Sequence, residues 1–237
     1  MSAIVPAILP ASRLDLEEKL NRIRDIDGVT SVQIDVVDGK YASPATWPYR
    51  TNEKIDAAET LLRTGKLKFE VDLMVAHPEE AVAPWIALGA SRVTIHIESA
   101  KRLTKLLDDI HTRFGHDKAF APDLLSLGIA IGIDTDLSIL EPHLAHADYV
   151  QFMGIRSIGK QGQPFDPSVL TKIAMFRRAH PDMDIQVDGG VSRASAAKLL
   201  AAGVDRLVVG SALLKAADIQ AEFDAFSELT EEHGIYE

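Results

Sequence analysis

The chain has 237 residues, 46% of them hydrophobic and 25% charged, with a net charge of −10 and no cysteine. This composition is globular rather than disordered or membrane-embedded. The acidic field opposes nonspecific binding to nucleic acid or an anionic membrane, and the missing thiols exclude disulfides and thiolate chemistry. The first twenty residues hold neither a basic region nor a long apolar run, so no signal peptide or membrane span is expected and a cytoplasmic location is the simplest reading.

In chain order, β-branched apolar runs predict strands at 3–9 and 31–37, joined through the amphipathic "RLDLEEKLNRIRDI". The second strand delivers Asp35, and Asp38-Gly39 then turns the chain. "NEKIDAAETLLRTG" predicts a helix before the strand at 68–75, and "PEEAVAPWIALGA" one before the strand at 92–98. "AKRLTKLLDDIHTRFG" and a mixed insertion at 116–128 precede a strand at 128–134, after which 134–147 leaves room for only a short helix before the strand at 148–154. A long, glycine-bearing connection at 154–170 leads into "PSVLTKIAMFRRAH"; a strand at 184–190, the helix "SRASAAKLLAAG" and a strand at 206–212 complete the set. Several helices open on Ser, Asp or Pro and close on Gly, as caps prefer. Eight alternating units with short connections and no linker call for a (β/α)8 TIM barrel forming a single domain over 1–237, a fold that takes about 250 residues; an open doubly wound sheet is the alternative.

In such a barrel the C-terminal ends of the strands form the mouth where ligands bind. Asp35, Asp72 and Asp188 fall at or near three of these ends, and His96 and Glu98 at a fourth. Carboxylates that converge there need a cation, protons or donors. Taken singly, each reads equally well as a helix cap or a salt-bridge partner, and His96 as a structural histidine. "VDGGVS" and "VVGSALL" follow the seventh and eighth strands, where glycines such as Gly189, Gly190 and Gly210 let backbone N–H groups approach a phosphate and Ser211 offers a hydroxyl. The 154–170 connection suits a lid or a plain surface loop. Its Arg156 and Lys160 supply positive charge, either for an anionic ligand or for solvent, and Trp47 and Tyr49 either shape the site or pack.

"VPAIL", "QIDVVDGKY", "VDLMVAHPEEAVAPWIALGASRVTIHIES", "GKQGQPFDPSVL", "VDGGV" and "VVGSALL", in this order and spacing, resemble the ribulose-phosphate 3-epimerase family along almost the whole chain. The resemblance implies a barrel acting on a phosphorylated ketose, with Asp35 and Asp188 working from opposite faces of the sugar to remove and return the C3 proton. It also implies that Gly190, Gly210 and Ser211 hold the phosphate with Gly162 in the closing loop, that Met74 and Met153 line the site, and that the protein forms a homo-oligomer. Val37 and Ala7 stand where the family carries a third methionine and a serine.

Two further positions depart from the pattern. Gln33 and Asp72 occupy places where the family has histidines that, with the two aspartates, hold a divalent metal. Gln33, Asp35, Asp72 and Asp188 make an all-oxygen set, better suited to Mg²⁺ or Mn²⁺ than to Zn²⁺. Without an ion, mutual repulsion should raise at least one carboxyl pKa. The expected activity is epimerisation next to the carbonyl of a phosphorylated ketose through an enediolate. A noncatalytic sugar-phosphate-binding relative and a related barrel lyase are the alternatives.

Overall fold

A computed structural model describes residues 3–55, 64–114 and 125–233. Eight strands, β1 (Ala3–Ile8), β2 (Ser31–Val37), β3 (Lys68–Met74), β4 (Arg92–His96), β5 (Ser126–Ile131), β6 (Tyr149–Met153), β7 (Asp184–Asp188) and β8 (Arg206–Val209), close into a barrel in sequence order. Every neighbouring pair is parallel, with β8 returning to β1. Helices α1 (Arg13–Arg24), α2 (Pro78–Ala87), α3 (Leu103–Phe114), α4 (Ser168–Ala179), α5 (Arg193–Ala201), the single turn α6 (Ser211–Leu214) and α7 (Ile219–His233) lie in the connections and at the end. The (β/α)8 expectation holds. No helix among the described residues is long and apolar enough to cross a membrane.

Side chains alternate across each strand, and the two faces differ in kind. Outward positions such as Ile34, Val36, Val71, Leu73, Ile95, Ile129, Phe152 and Val187 are fully buried against the helices in one apolar layer. Each contributes about 1.5–3 kcal/mol by leaving water. Inward positions carry Gln33, Asp35, Glu70, Asp72, Thr94, His96, Gln151, Gln186 and Asp188, all buried as well. The floor of the barrel is a hydrogen-bonded layer. Arg206 Nη2 donates to both oxygens of Glu70 at 3.0 and 2.9 Å, Arg92 pairs with the same carboxylate at 3.1 Å, and the Arg92 guanidinium stacks 3.8 Å from the centre of the Tyr149 ring. That ring occupies space that only a glycine leaves free, since a Cβ on Gly128 would lie 2.1 Å from it.

Local chemistry fixes the helix starts. The Ser12 hydroxyl accepts from Asp15 N–H at the start of α1, and Ser192 with Ser195 forms a reciprocal capping box on α5. Pro78 opens α2, where its missing N–H would have had no partner in any case.

Several boundaries differ from those read in the sequence. β4 stops at His96, so Glu98 sits in the following turn, where its Oε1 accepts from Gly132 N–H at 2.7 Å and from the Thr135 hydroxyl at 2.7 Å. β5 starts at Ser126 and ends at Ile131 because Gly128, Ala130 and their neighbours pair in register with β4 and β6. In place of a fifth helix there are two 3-10 segments, Leu137–Ile139 and Glu141–His146. β8 ends at Val209, and Ser211 and Ala212, expected in the strand, open the helical turn α6. The helix α7 was not anticipated; it packs on α5, α6 and β1 with Phe223 and Phe226 buried, and "TEEH" forms its last turn. Most of the expected helix at 52–65 and of the insertion at 116–128 lies outside the described residues.

Candidate active site

The register of the barrel brings the carboxylates together. Asp35 of β2 lies beside Asp72 of β3, and Asp188 of β7 beside Met153 of β6 and Val208 of β8. One oxygen of each of Asp35, Asp72 and Asp188 lies within 4.8 Å of the other two. All three side chains are buried, with Asp188 the most accessible at 9%. Burial, then the charges of Asp188 and Asp72, push Asp35 well above the usual carboxylate range. Burial and Asp72 likewise push Asp188 up, to about 7, against the opposing hydrogen bonds from Gln33 and Gly189. The pair therefore holds a proton near neutral pH that neither aspartate would hold in water.

Gln33 joins the two. Its Nε2 donates to Asp35 Oδ1 at 2.8 Å and to Asp188 Oδ2 at 3.0 Å, while its oxygen accepts from Gln186 Nε2 at 3.2 Å. Of the four expected oxygen donors, the three carboxylates thus face one another, whereas Gln33 turns N–H groups toward them. Asp72 accepts from Gln151 Nε2 at 2.9 Å and pairs with His96 Nε2 at 3.0 Å. Burial alone would lower the His96 pKa, yet the charge and hydrogen bond of Asp72 outweigh it and the ring is held above its ordinary value. Hydrogen bonds from Gly132 and Thr135 overcome burial at Glu98 and keep it ionised. Glu98 Oε2 in turn accepts from the Tyr41 hydroxyl at 3.1 Å, whose ring lies 5.4 Å from that of His96.

Above the carboxylates opens a cleft of about 500 Å³, counted to its solvent mouth. Ala7, Met74, Met153, Gly162, Gly189, Gly190, Gly210 and Ser211 line it together with Asp35 and Asp188, so every expected phosphate and side-wall residue meets the carboxylate pair at one cavity. Gly190 needs to be glycine on two counts, a φ of +68° and a Cβ position only 2.6 Å from Phe165 Cα. The 154–170 connection folds over the cleft: Gln161 Nε2 donates to Ala7 O at 3.1 Å across the barrel rim.

The remaining expectations sort by contact. Lys160 lines the cleft, but Arg156 is tied to Asp134 at 2.6 Å and Asp166 at 2.7 Å, where it straps the loop to the rim. Trp47 packs edge-on against Trp85 and donates to Glu53 at 2.8 Å, so it supports the wall from behind. Asp38 accepts from Lys40, Tyr41 and Ala76 N–H groups and pins the turn after β2 to the end of β3. Lys215 was not anticipated. Its ammonium would lie 3.3 Å from a Cβ on Gly162, with the Ser211 hydroxyl 3.9 Å from the same point. Gln151 and Gln186 were missed too, although each stands two residues before a mouth residue, in "VQFM" and "IQVD", as Gln33 does in "VQID".

A closed parallel barrel with buried carboxylates beneath glycine-rich β7 and β8 loops defines a barrel of the class that works on small ligands at its C-terminal mouth. Residues 3–214 match the model of the ribulose-phosphate 3-epimerase family, and the chain belongs to that family. It is 29% identical to the ribulose-phosphate 3-epimerase of Chlamydia muridarum over 98% of this chain and 96% of that one. It is 27% identical to that of Bacillus subtilis over 92% and 94%. Among solved structures, KGPDC from Streptococcus mutans superposes with a TM-score of 0.69 at 11% identity, covering 99% of each chain, a likeness of fold alone.

Proposed function

We propose that this protein is a ribulose-phosphate 3-epimerase that inverts the carbon next to the carbonyl of a phosphorylated ketose by proton transfer between Asp35 and Asp188. The observation that carries the reading is the pair itself: two buried carboxylates from β2 and β7, bridged by one amide and facing a cleft walled by the β7 and β8 glycines. A reaction that moves a proton off one face of a carbon and onto the other needs one ionised and one protonated group near neutral pH. Burial and the neighbouring carboxylates raise both members of this pair, Asp188 to about 7, which supports such a division of protonation states near neutral pH.

The phosphate would sit against the N–H groups of Gly189, Gly190 and Gly210 and the Ser211 hydroxyl, which anchors the sugar's far end and leaves C3 over the carboxylates. The ionised aspartate takes the C3 proton, and the electron pair moves onto the carbonyl oxygen to give an enediolate. The protonated aspartate on the opposite side then returns a proton to C3, so the configuration inverts and the two carboxyls exchange protonation states. Met74 and Met153 supply a dry wall that holds the planar intermediate without competing for protons. The carboxylates of Asp35, Asp72 and Asp188 fit a hard divalent cation such as Mg²⁺ or Mn²⁺. When bound, such an ion would neutralise charge developing on the enediolate oxygens.

The test is C3–H exchange in D₂O with ribulose 5-phosphate, followed by NMR with and without added Mg²⁺ or Mn²⁺. Asp35→Asn and Asp188→Asn are each expected to lower exchange by about 10²–10⁴-fold while phosphate binding persists. A wild-type protein that binds the sugar phosphate but exchanges nothing would instead be a binding relative.

A further inference from the structure

Gln33, Gln151 and Gln186 are fully buried inside the barrel, and nothing in the proton-transfer scheme uses them directly. Their orientations are not independent. A guanidinium can only donate, and Arg206 Nε donates to Gln186 Oε1 at 2.8 Å. The Gln186 amide nitrogen therefore faces the other way, where it donates to Gln151 Oε1 at 2.8 Å and Gln33 Oε1 at 3.2 Å. With their oxygens so engaged, Gln151 and Gln33 must direct their own N–H groups upward. Gln151 donates to Asp72, and Gln33 to Asp35 and Asp188. Arg206 is itself held by both oxygens of Glu70.

The geometry points to a positioning role: Gln33 is locked as a double hydrogen-bond donor between the two carboxylates by an amide relay that begins at Arg206 on the barrel floor, and it does not ligate a cation. Reversing Gln33 alone would set its N–H groups against those of Gln186 and its oxygen against the carboxyl that stays ionised in the reaction scheme, a mismatch in a buried site on both sides at once even where the other carboxyl is protonated. Reversing the whole chain would set the Gln186 N–H groups against Arg206. The polar end of the relay is thus decided by a residue that cannot accept. Gln33 spaces the carboxylates and offers each an N–H, whether or not the ion site beside them is filled.

This assignment deepens the proposed reaction and can be tested apart from it. The experiment uses the full chain, ¹⁵N-labelled and metal-free, with the Gln33 side-chain amide identified by its loss in Gln33→Glu. On addition of Mg²⁺ the wild-type amide protons should remain slowly exchanging. In Gln186→Glu the Arg206 contact survives but the donor to Gln33 is lost, so the amide is free to turn its oxygen inward. Its protons should then exchange at least ten-fold faster, and Mn²⁺ should bind at least ten-fold tighter by calorimetry. Gln186→Met removes the same donor without adding charge and should shift both readouts in the same direction; it also serves if the first variant fails to fold. Tighter Mn²⁺ binding in Gln186→Glu but not in Gln186→Met would assign the effect to charge and overturn the relay. So would loss of the slow wild-type amide protons on adding Mg²⁺. Absence of C3–H exchange in the wild type would sink the epimerase reading and leave these results standing on their own.

Discussion

The two faces of the barrel strands are equally buried and stabilised by opposite means. Outside, Ile34, Val71, Ile95 and Val187 meet helices through dispersion and area, which are non-directional and forgive a change of shape. Inside, Glu70, Arg206, Gln186, Gln33 and Asp188 meet one another through directed bonds in which each donor needs its acceptor. The difference teaches where this molecule can vary. A methyl group lost outside leaves a small void, whereas an atom exchanged inside, N for O, leaves buried groups facing like charge or like hydrogen.

The sharpest way to break that contrast is at the floor. Glu70→Gln keeps the shape but removes the anion that neutralises Arg206 and Arg92, both largely buried. A loss of about 3–5 kcal/mol is expected from urea denaturation. A loss under 1 kcal/mol would mean that the inner face tolerates change as the outer one does.

Next in size is a gain. The folded-state pKa of Asp188, about 7, lies above its ordinary 3.8. Between these values the folded protein keeps a proton that the unfolded chain releases, so stability falls as pH rises from about 4 to 7 and stays reduced above it. Asp188→Asn removes the charge while keeping the shape. It should stabilise the metal-free protein by about 3–4 kcal/mol at pH 8 and leave it nearly unchanged at pH 4, as read by melting in a chelator. Equal effects at both pH values would show that burial of the carboxylate is not the cause.

On the outer face, Ile34→Val should cost only about 0.5–1.5 kcal/mol and leave C3–H exchange within a factor of two. A large fall in exchange would mean that the apolar layer, too, sets the carboxylate geometry. The smallest effect belongs to the rim. Lys215→Met removes an exposed ammonium beside Gly162 and Ser211, so KM for the sugar phosphate should rise about two- to five-fold with kcat held, in keeping with the ~1 kcal/mol or less of a solvated ion pair.

Much of this was legible in the chain because it is local. Runs of Val and Ile set the strands, Ser12 and Ser192 the helix starts, and the "VDGG" and "VVGS" segments the glycine loops at the ends of β7 and β8. Asp35 and Asp188 were marked by their place at strand ends. The period-two pattern carries a further signal: Gln-X-Asp, Gln-X-Met and Gln-X-Asp in β2, β6 and β7 put three amides on the inward face one layer below the mouth. Arg156, left open between an anionic ligand and solvent, takes neither: it pairs with Asp166 of its own loop and with Asp134 from the connection after β5, a partner that its local sequence does not reveal.

The sequence by itself determined the alternation of strand and helix, the (β/α)8 class and the residue types at the mouth, since periodicity and caps act over a few residues. Only the tertiary structure decided which atoms face each other there. Amide nitrogen and oxygen are nearly the same size, and Gln33 presents N–H groups to Asp35 and Asp188 because Arg206, 173 positions further along the chain, can only donate. That constraint reaches Gln33 through space, across β7 and the floor of the closed barrel.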